Sequence, residues 1–316
     1  MSAILQADRR NVDDWVQLLG RSDMPVLERT AAELAALATN EDEATPRRVA
    51  AVVLHDPLMT FKVLQYIQLN RHASQSTEIT TIAHALMMLG LEPFFRHFRE
   101  LQTVEARLGA FVPALQGLRR VASRSRHAAL YARDWAVLRH DIEVDEVMTA
   151  ALLHDVVEMM LWCAAPSQAL RLQQAMLADR RLRSENAQRA VLGVSLMEVS
   201  AEACRRWRMP MVLHSLINDH RSKRPREANV VHAVAIARHS DRGWDDPGLP
   251  DDFEQAGRLL GIGREAARMR VIRVALEAAA EWRWYGVRPA AAWLPLDPGT
   301  PAPEDEMRSP GVEIGA

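Results

Sequence analysis

Apolar residues in this chain recur at steps of three and four rather than two, the period of helices with one buried face and not of half-buried strands. The strongest run is residues 145–163, DEVMTAALLHDVVEMMLWC. There Val147, Ala150, Ala151, Leu153, Val157, Met160 and Leu161 keep helical spacing and predict one buried helix. Upstream, the spacing predicts a short amphipathic segment over 11–19 and a helix over 26–38 with Leu27, Ala31, Leu34 and Leu37 on one face. Thr45-Pro46 and Asp56-Pro57 each read as an N-cap followed by proline at the first helical position. They open helices running through residue 54 and over 58–68. A further helix over 79–89 stops at Gly90, a suitable residue just past a helix end.

Residues 92–101 bring Phe94, Phe95 and Phe98 together at helical spacing, a pattern of core or interface. Later helices are predicted over 115–138, 167–178, 192–206, 212–220, 228–238 and 264–284. The last carries Met269, Ile272, Leu276 and Ala279 as its apolar stripe, and residues 245–250 read as a surface loop. The fold class is therefore all-α. The pattern weakens around 109–113, which divides the chain into an extension (1–23), a first helical lobe (24–110), a second (111–285) and a tail (286–316). That tail has six prolines and few large apolar residues, and is expected to be extended or disordered.

Composition narrows the function classes. The 316 residues are 48% hydrophobic and 25% charged with a formal charge of -2, the balance of a globular protein. Near-neutral charge argues against general nucleic-acid binding or an anionic membrane surface. The two cysteines, Cys163 and Cys204, make no disulfide framework and read as small core residues. No run approaches the roughly 18 apolar residues of a membrane span. The expected location is the cytoplasm, with no membrane partner.

Candidate chemistry centres on His154 and Asp155, adjacent polar side chains inside the most apolar run. Burying a polar group without a partner costs roughly 2–7 kcal/mol, so something must satisfy them. Imidazole and carboxylate both suit first-row divalent metals, while a hydrogen-bonded pair without metal is the reading that the dipeptide alone favours. His127 sits on an otherwise apolar helix face and is expected to meet the pair. Arg119, Arg120, Arg124 and Arg126 precede it as a basic patch, either a solvated face or a dock for a phosphate-bearing nucleotide. The second His–Asp pair, His55-Asp56, is explained by the cap and is given no metal role.

Taken in order, these pieces resemble the HDOD domain, a signalling-associated branch of the HD superfamily. The resemblance is carried by Met24-Pro25-Val26-Leu27, VVLHDPLMTFKVLQYIQLN (52–70), ITTIAHALMMLG (79–90), RHAALYARDWA (126–136), AALLHDVVEMML (150–161), AQRAVLGVSLMEVSAEACRRWRMP (187–210) and NDHR (218–221). It implies an N-terminal helical lobe packed on an HD-like helical lobe. Enzymes of the wider superfamily are phosphohydrolases with a metal site of the form H…HD…D, and the resemblance places His127, His154 and Asp155 at the first three ligands. Ala235 falls at the terminal aspartate, with Asp241 out of register, and Glu158 stands where a lysine often serves phosphate. Leu196 and the lone His220 thin the later histidines. The resemblance thus implies a vestigial site with at most a weakly bound divalent metal and no other cofactor. It points to a non-catalytic regulatory protein whose partners are signalling proteins or a nucleotide second messenger. The alternative is a metal-dependent phosphohydrolase acting on a nucleotide or phosphodiester.

Overall fold

Side-chain caps set the helix starts that the sequence announces. The computed structural model describes residues 10–21, 23–40, 42–70, 78–179, 182–218 and 224–295. Thr45 accepts from the Arg48 amide, and Asp56 from the Leu58 and Met59 amides, each ahead of a proline at the first turn. Gly90 ends its helix at φ 81°, a conformation that a Cβ would disfavour. In chain order the helices begin with α1 (Val12–Leu19), α2 (Glu28–Ala38), α3 (Pro46–Val53), α4 (Pro57–Leu69), α5 (Ile82–Leu89), α6 (Leu91–His97) and α7 (Val104–Leu108). Then come α8 (Val112–Leu138), α9 (Val144–Leu153), α10 (Val156–Ala164), α11 (Pro166–Ala178), α12 (Ser184–Leu192), α13 (Leu196–Arg206) and α14 (Met211–Asn218). The chain continues with α15 (Pro225–Ser240), α16 (Leu249–Leu260), α17 (Arg264–Ala279), α18 (Trp282–Tyr285) and a 3-10 turn, Ala290–Trp293. The fold is all-α: among the described residues β-pairing is limited to an isolated bridge between Val26 and Thr103.

The long helix α8 is the axis. Its neighbours include α9, α10, α11, α15 and α17, and it admits them by being lined with small buried residues, among them Ala114, Gly117, Ala122, Ala128, Ala129 and Ala132. Close approach of backbones needs such residues, because each larger side chain would hold two helices further apart. Phe94 and Phe98 lie in the core with rings 4.9 Å apart. Cys204 is buried and Cys163 partly so, with burial pushing the Cys163 thiol up to about 12.

Four expectations change. The run 145–163 is two helices, α9 and α10, that break at His154-Asp155, where Asp155 leaves helical geometry at φ -99° and ψ 15°. Residues Val144–Ala164 together are long and apolar enough to cross a membrane, yet 78% of that window lies buried inside the fold as core. Residues 264–284 likewise split into α17 and α18, and the expected stripe of α17 faces outward: Met269 and Leu276 are 54% and 56% exposed. The buried face is Ala267, Val271, Val274, Ala275 and Ala278, chosen by size, because α17 must lie close against α8 and α16. A twelve-residue helix, α16, also follows the loop and carries Phe253 and Ala256 into the core.

Both expected flanking segments make packing contacts. In the expected extension, α1 lies on α13 and α10, and the Trp15 indole donates to the Leu192 carbonyl at 3.1 Å. At the other end the expected tail is packed as far as residue 295, with Ala290 buried and its carbonyl accepting from the Trp244 indole at 2.9 Å. The remaining tail, 296–316, lies outside the described residues. Helix α18 ties back to α2 and to the residue before the α4 cap. Its Trp284 donates to the Thr30 hydroxyl at 3.2 Å and Tyr285 to the His55 carbonyl at 2.7 Å.

Gly117 tests the packing account. A Cβ there would stand 2.5 Å from the Trp162 ring of α10. Replacing glycine by alanine inside a helix ordinarily gains about 1 kcal/mol from propensity, whereas overpacking costs about 1–3 kcal/mol. Gly117→Ala is therefore expected to lower the urea midpoint; a raised midpoint would show that α8 and α10 are not in this contact.

Candidate functional site

The break between α9 and α10 aims Asp155 inward, where it is only 4% exposed. An unpaired carboxylate at that depth would be untenable, and two arginines answer it. From α8, the Arg124 Nε donates to Asp155 Oδ2 at 3.0 Å. From α15, Arg238 donates through Nε to the same oxygen at 3.3 Å and through Nη2 to Oδ1. His154 Nδ1 stands 2.8 Å from Oδ1. Burial alone would raise the carboxyl, but Arg238 and Arg124, with the His154 bond, hold it well below the usual range. Arg124 spans two carboxylates, since its Nη2 also donates to Glu158 at 2.5 Å.

His127 is placed differently from the other two. It lies on α8 and is buried, and its Nδ1 donates to the Ser123 carbonyl one turn back at 2.9 Å. Burial lowers its pKa and favours the neutral ring. The remaining Nε2 is buried with no hydrogen-bond partner among the described residues. The structure therefore joins His154 to Asp155 and gives His127 a backbone partner of its own. Among the described residues no group of three or more His, Cys, Asp or Glu side chains is arranged to hold a metal ion.

The donor set does not fit a divalent ion, for a reason beyond counting ligands. Both oxygens of Asp155 already face guanidinium groups. A unit charge repelling another at about 4 Å costs about 4 kcal/mol at an effective dielectric near 20. A doubly charged ion beside Arg124 and Arg238 would meet that repulsion several times over. The helix carrying Ala235 presents Arg238 one turn further on, so that a side-chain cation stands on the face where a carboxylate ligand was expected. Glu158, which stands where a lysine was the expected residue of the superfamily's enzymes, is paired with Arg124.

The basic patch proves to be a set of inward ion pairs. Arg119 bonds Glu105, Arg126 makes a two-pronged bond to Glu281 at 2.8 and 2.9 Å, and Arg120 approaches Asp241 at 3.6 Å. Position in a basic run suggested a solvated face; the burial of α8 on most sides explains the difference. Arg238 was missed altogether. The available signal was the demand itself, a buried aspartate in an apolar run that requires a cation from a neighbouring helix. His220 lies outside the described residues.

Comparison with known proteins agrees with this architecture. The chain is similar to the MmoQ response regulator from Methylococcus capsulatus, with a TM-score of 0.60 and 19% identity over 79% of this chain and 98% of that one. It is also similar to a virulence factor from Campylobacter jejuni, with a TM-score of 0.59 and 18% identity over 93% and 96%. At these identities the likeness establishes the fold. Against curated proteins the chain finds no match. The model of the HDOD domain matches residues 24–223, well over half the chain, and the protein belongs to the HDOD domain family.

Proposed function

We propose that this HDOD protein is a non-catalytic regulator that works in the cytoplasm through contacts with signalling proteins or through a nucleotide second messenger. The observation that carries the non-catalytic part is the occupation of Asp155 by Arg124 and Arg238. Metal-assisted phosphoryl transfer needs a firmly held ion, an activated water and cations free to meet the non-bridging oxygens. Here the dipeptide's carboxylate is committed to two arginines, and those arginines are committed to it. The signalling part is supported by family membership and by the fold shared with a protein described as a response regulator. A second reading, metal-dependent phosphohydrolase, is favoured by one atom: the buried Nε2 of His127, a ligand-type nitrogen with no described partner.

The two readings separate in one assay. Protein purified without a metal-affinity tag is expected to carry no stoichiometric manganese, iron or zinc. It should hydrolyse neither cyclic nor linear nucleotides above a metal-only control. Turnover that vanishes in Asp155→Ala at unchanged melting temperature would instead establish the enzyme.

The ion cluster also predicts an acid-limb signature. Because the folded pKa of Asp155 lies below its unfolded value of about 3.9, its contribution to stability is complete above that value. It is lost as pH falls through the folded pKa. Urea unfolding at neutral pH and below pH about 4 should therefore show the wild type losing more stability on acidification than Asp155→Asn. Equal slopes for the two proteins would mean that the carboxylate is not held in its charged form. Asp155→Ala, which strands Arg124 without this partner, should cost about 3–5 kcal/mol at neutral pH.

A further inference from the structure

Helix α17 turns its larger apolar side chains outward, and their spacing is regular. Glu265, Met269, Ile272, Leu276, Ala279 and Arg283 follow one another at steps of four, three, four, three and four. That is the alternation of coiled-coil seam positions, which sets them in one row along the helix. Met269 and Leu276 are exposed, and Ile272 and Ala279 are half-buried. Single exposed apolar residues are ordinary on a protein surface, whereas a contiguous row marks a contact site. The row runs into an apolar cavity of about 570 Å³, walled by Leu276, Ala279, Trp282, Val287, Pro289 and Ala291. Its two ends are charged. Glu265 stands exposed in the first turn of α17. At the other end Ala280 keeps helical angles, φ -62° and ψ -24°, and carries the row on toward Arg283. The Arg283 guanidinium lies 5.8 Å from the centroid of the Trp282 ring, beside the cavity.

We propose that this row is a self-association seam, covered in solution by α17 of a second copy of the chain running antiparallel. The row is complementary to itself when reversed. Turned end for end about a two-fold axis level with Val274, it sets Ile272 against Leu276, Met269 against Ala279 and Glu265 against Arg283. Met269 then enters the cavity beside Ala279 of the other copy, a flexible side chain meeting open apolar space. The ends meet as opposite charges, and the symmetry makes that contact twice. Parallel pairing would instead oppose Glu265 to Glu265 and Arg283 to Arg283. Glu265 already pairs with Arg268 at 2.7 Å within its own turn, but an exposed pair of this kind holds a carboxylate only weakly. A helix of unrelated sequence could cover the apolar centre equally well. The reversed order of charge at the two ends is matched by a second copy. Self-association of this kind is independent of the Asp155 cluster.

Sedimentation equilibrium on the full chain, from about 1 to 100 µM, reads the association directly. A reversible, concentration-dependent rise toward twice the mass of one chain is expected. Leu276→Lys puts a charge in the middle of the seam and should weaken the dimer by about tenfold or more. Glu265→Arg and Arg283→Glu should each weaken it about two- to fivefold. Combining the two in one chain should restore the wild-type association, because each altered end then meets the other across the two-fold axis. Met87→Lys, at an exposed position of α5, should leave the association unchanged. Melting temperatures confirm that each variant is folded. A chain that stays monomeric throughout the range overturns the seam, as does a dimer that Leu276→Lys leaves intact. A double exchange that merely adds the two losses overturns the antiparallel pairing. The metal and turnover assays are unaffected by these outcomes.

Discussion

A carboxylate almost wholly removed from water sets the terms for the centre of this fold. Asp155 stands at a break between two apolar helices, and its charge must be met from outside its own helix. Arg124 meets it from α8 and Arg238 from α15. The helices carrying these partners are consequently held in register with α9 and α10. Loss of any one member leaves a buried charge exposed to low dielectric, which is far more damaging than the ion pair is stabilising in itself. The positive charge at the dipeptide comes from the chain's own side chains.

The same logic operates a second time along α8. Arg126, next to His127, reaches Glu281 just before α18 and the Leu54 carbonyl at the end of α3. Burial would raise the Glu281 carboxyl, but bonds from His55 and Arg126 bring it below the carboxylate range. His55 stacks on Trp284 with centroids 4.2 Å apart. Asp56, beside it, caps α4 and accepts from the Leu27 amide at 2.7 Å, and burial lifts its carboxyl to about 6 against those donors. The early helices are thus tied to α8 and α18 by polar contacts laid over a continuous apolar core.

Local signals were legible in the sequence where one residue decides the outcome. Thr45-Pro46, Asp56-Pro57 and Gly90 each act within a single turn, and each does what its chemistry dictates. The apolar run around His154 also announced itself as core. Non-local choices were not legible. Met269 and Leu276 look like the natural buried stripe of α17, yet the neighbours demand small side chains, so Val274, Ala275 and Ala278 go inside. The partnership of Arg238 with Asp155 spans 83 positions and follows from tertiary packing alone. Polar side chains in an apolar run thus single out the dipeptide in the sequence, while the cations beside it are set by the fold.

Arg238 and Asp155 must be energetically coupled if the arginine answers the buried carboxylate. A double-mutant cycle of Arg238→Ala and Asp155→Asn, measured by urea unfolding at neutral pH, isolates that term. If the arginine takes the place of a metal ion, the cycle should yield a coupling of roughly 2 kcal/mol, because the second substitution then costs little once the first is made. Additive losses, within about 0.5 kcal/mol, would mean that the two side chains do not depend on each other and that the dipeptide is free for another cation.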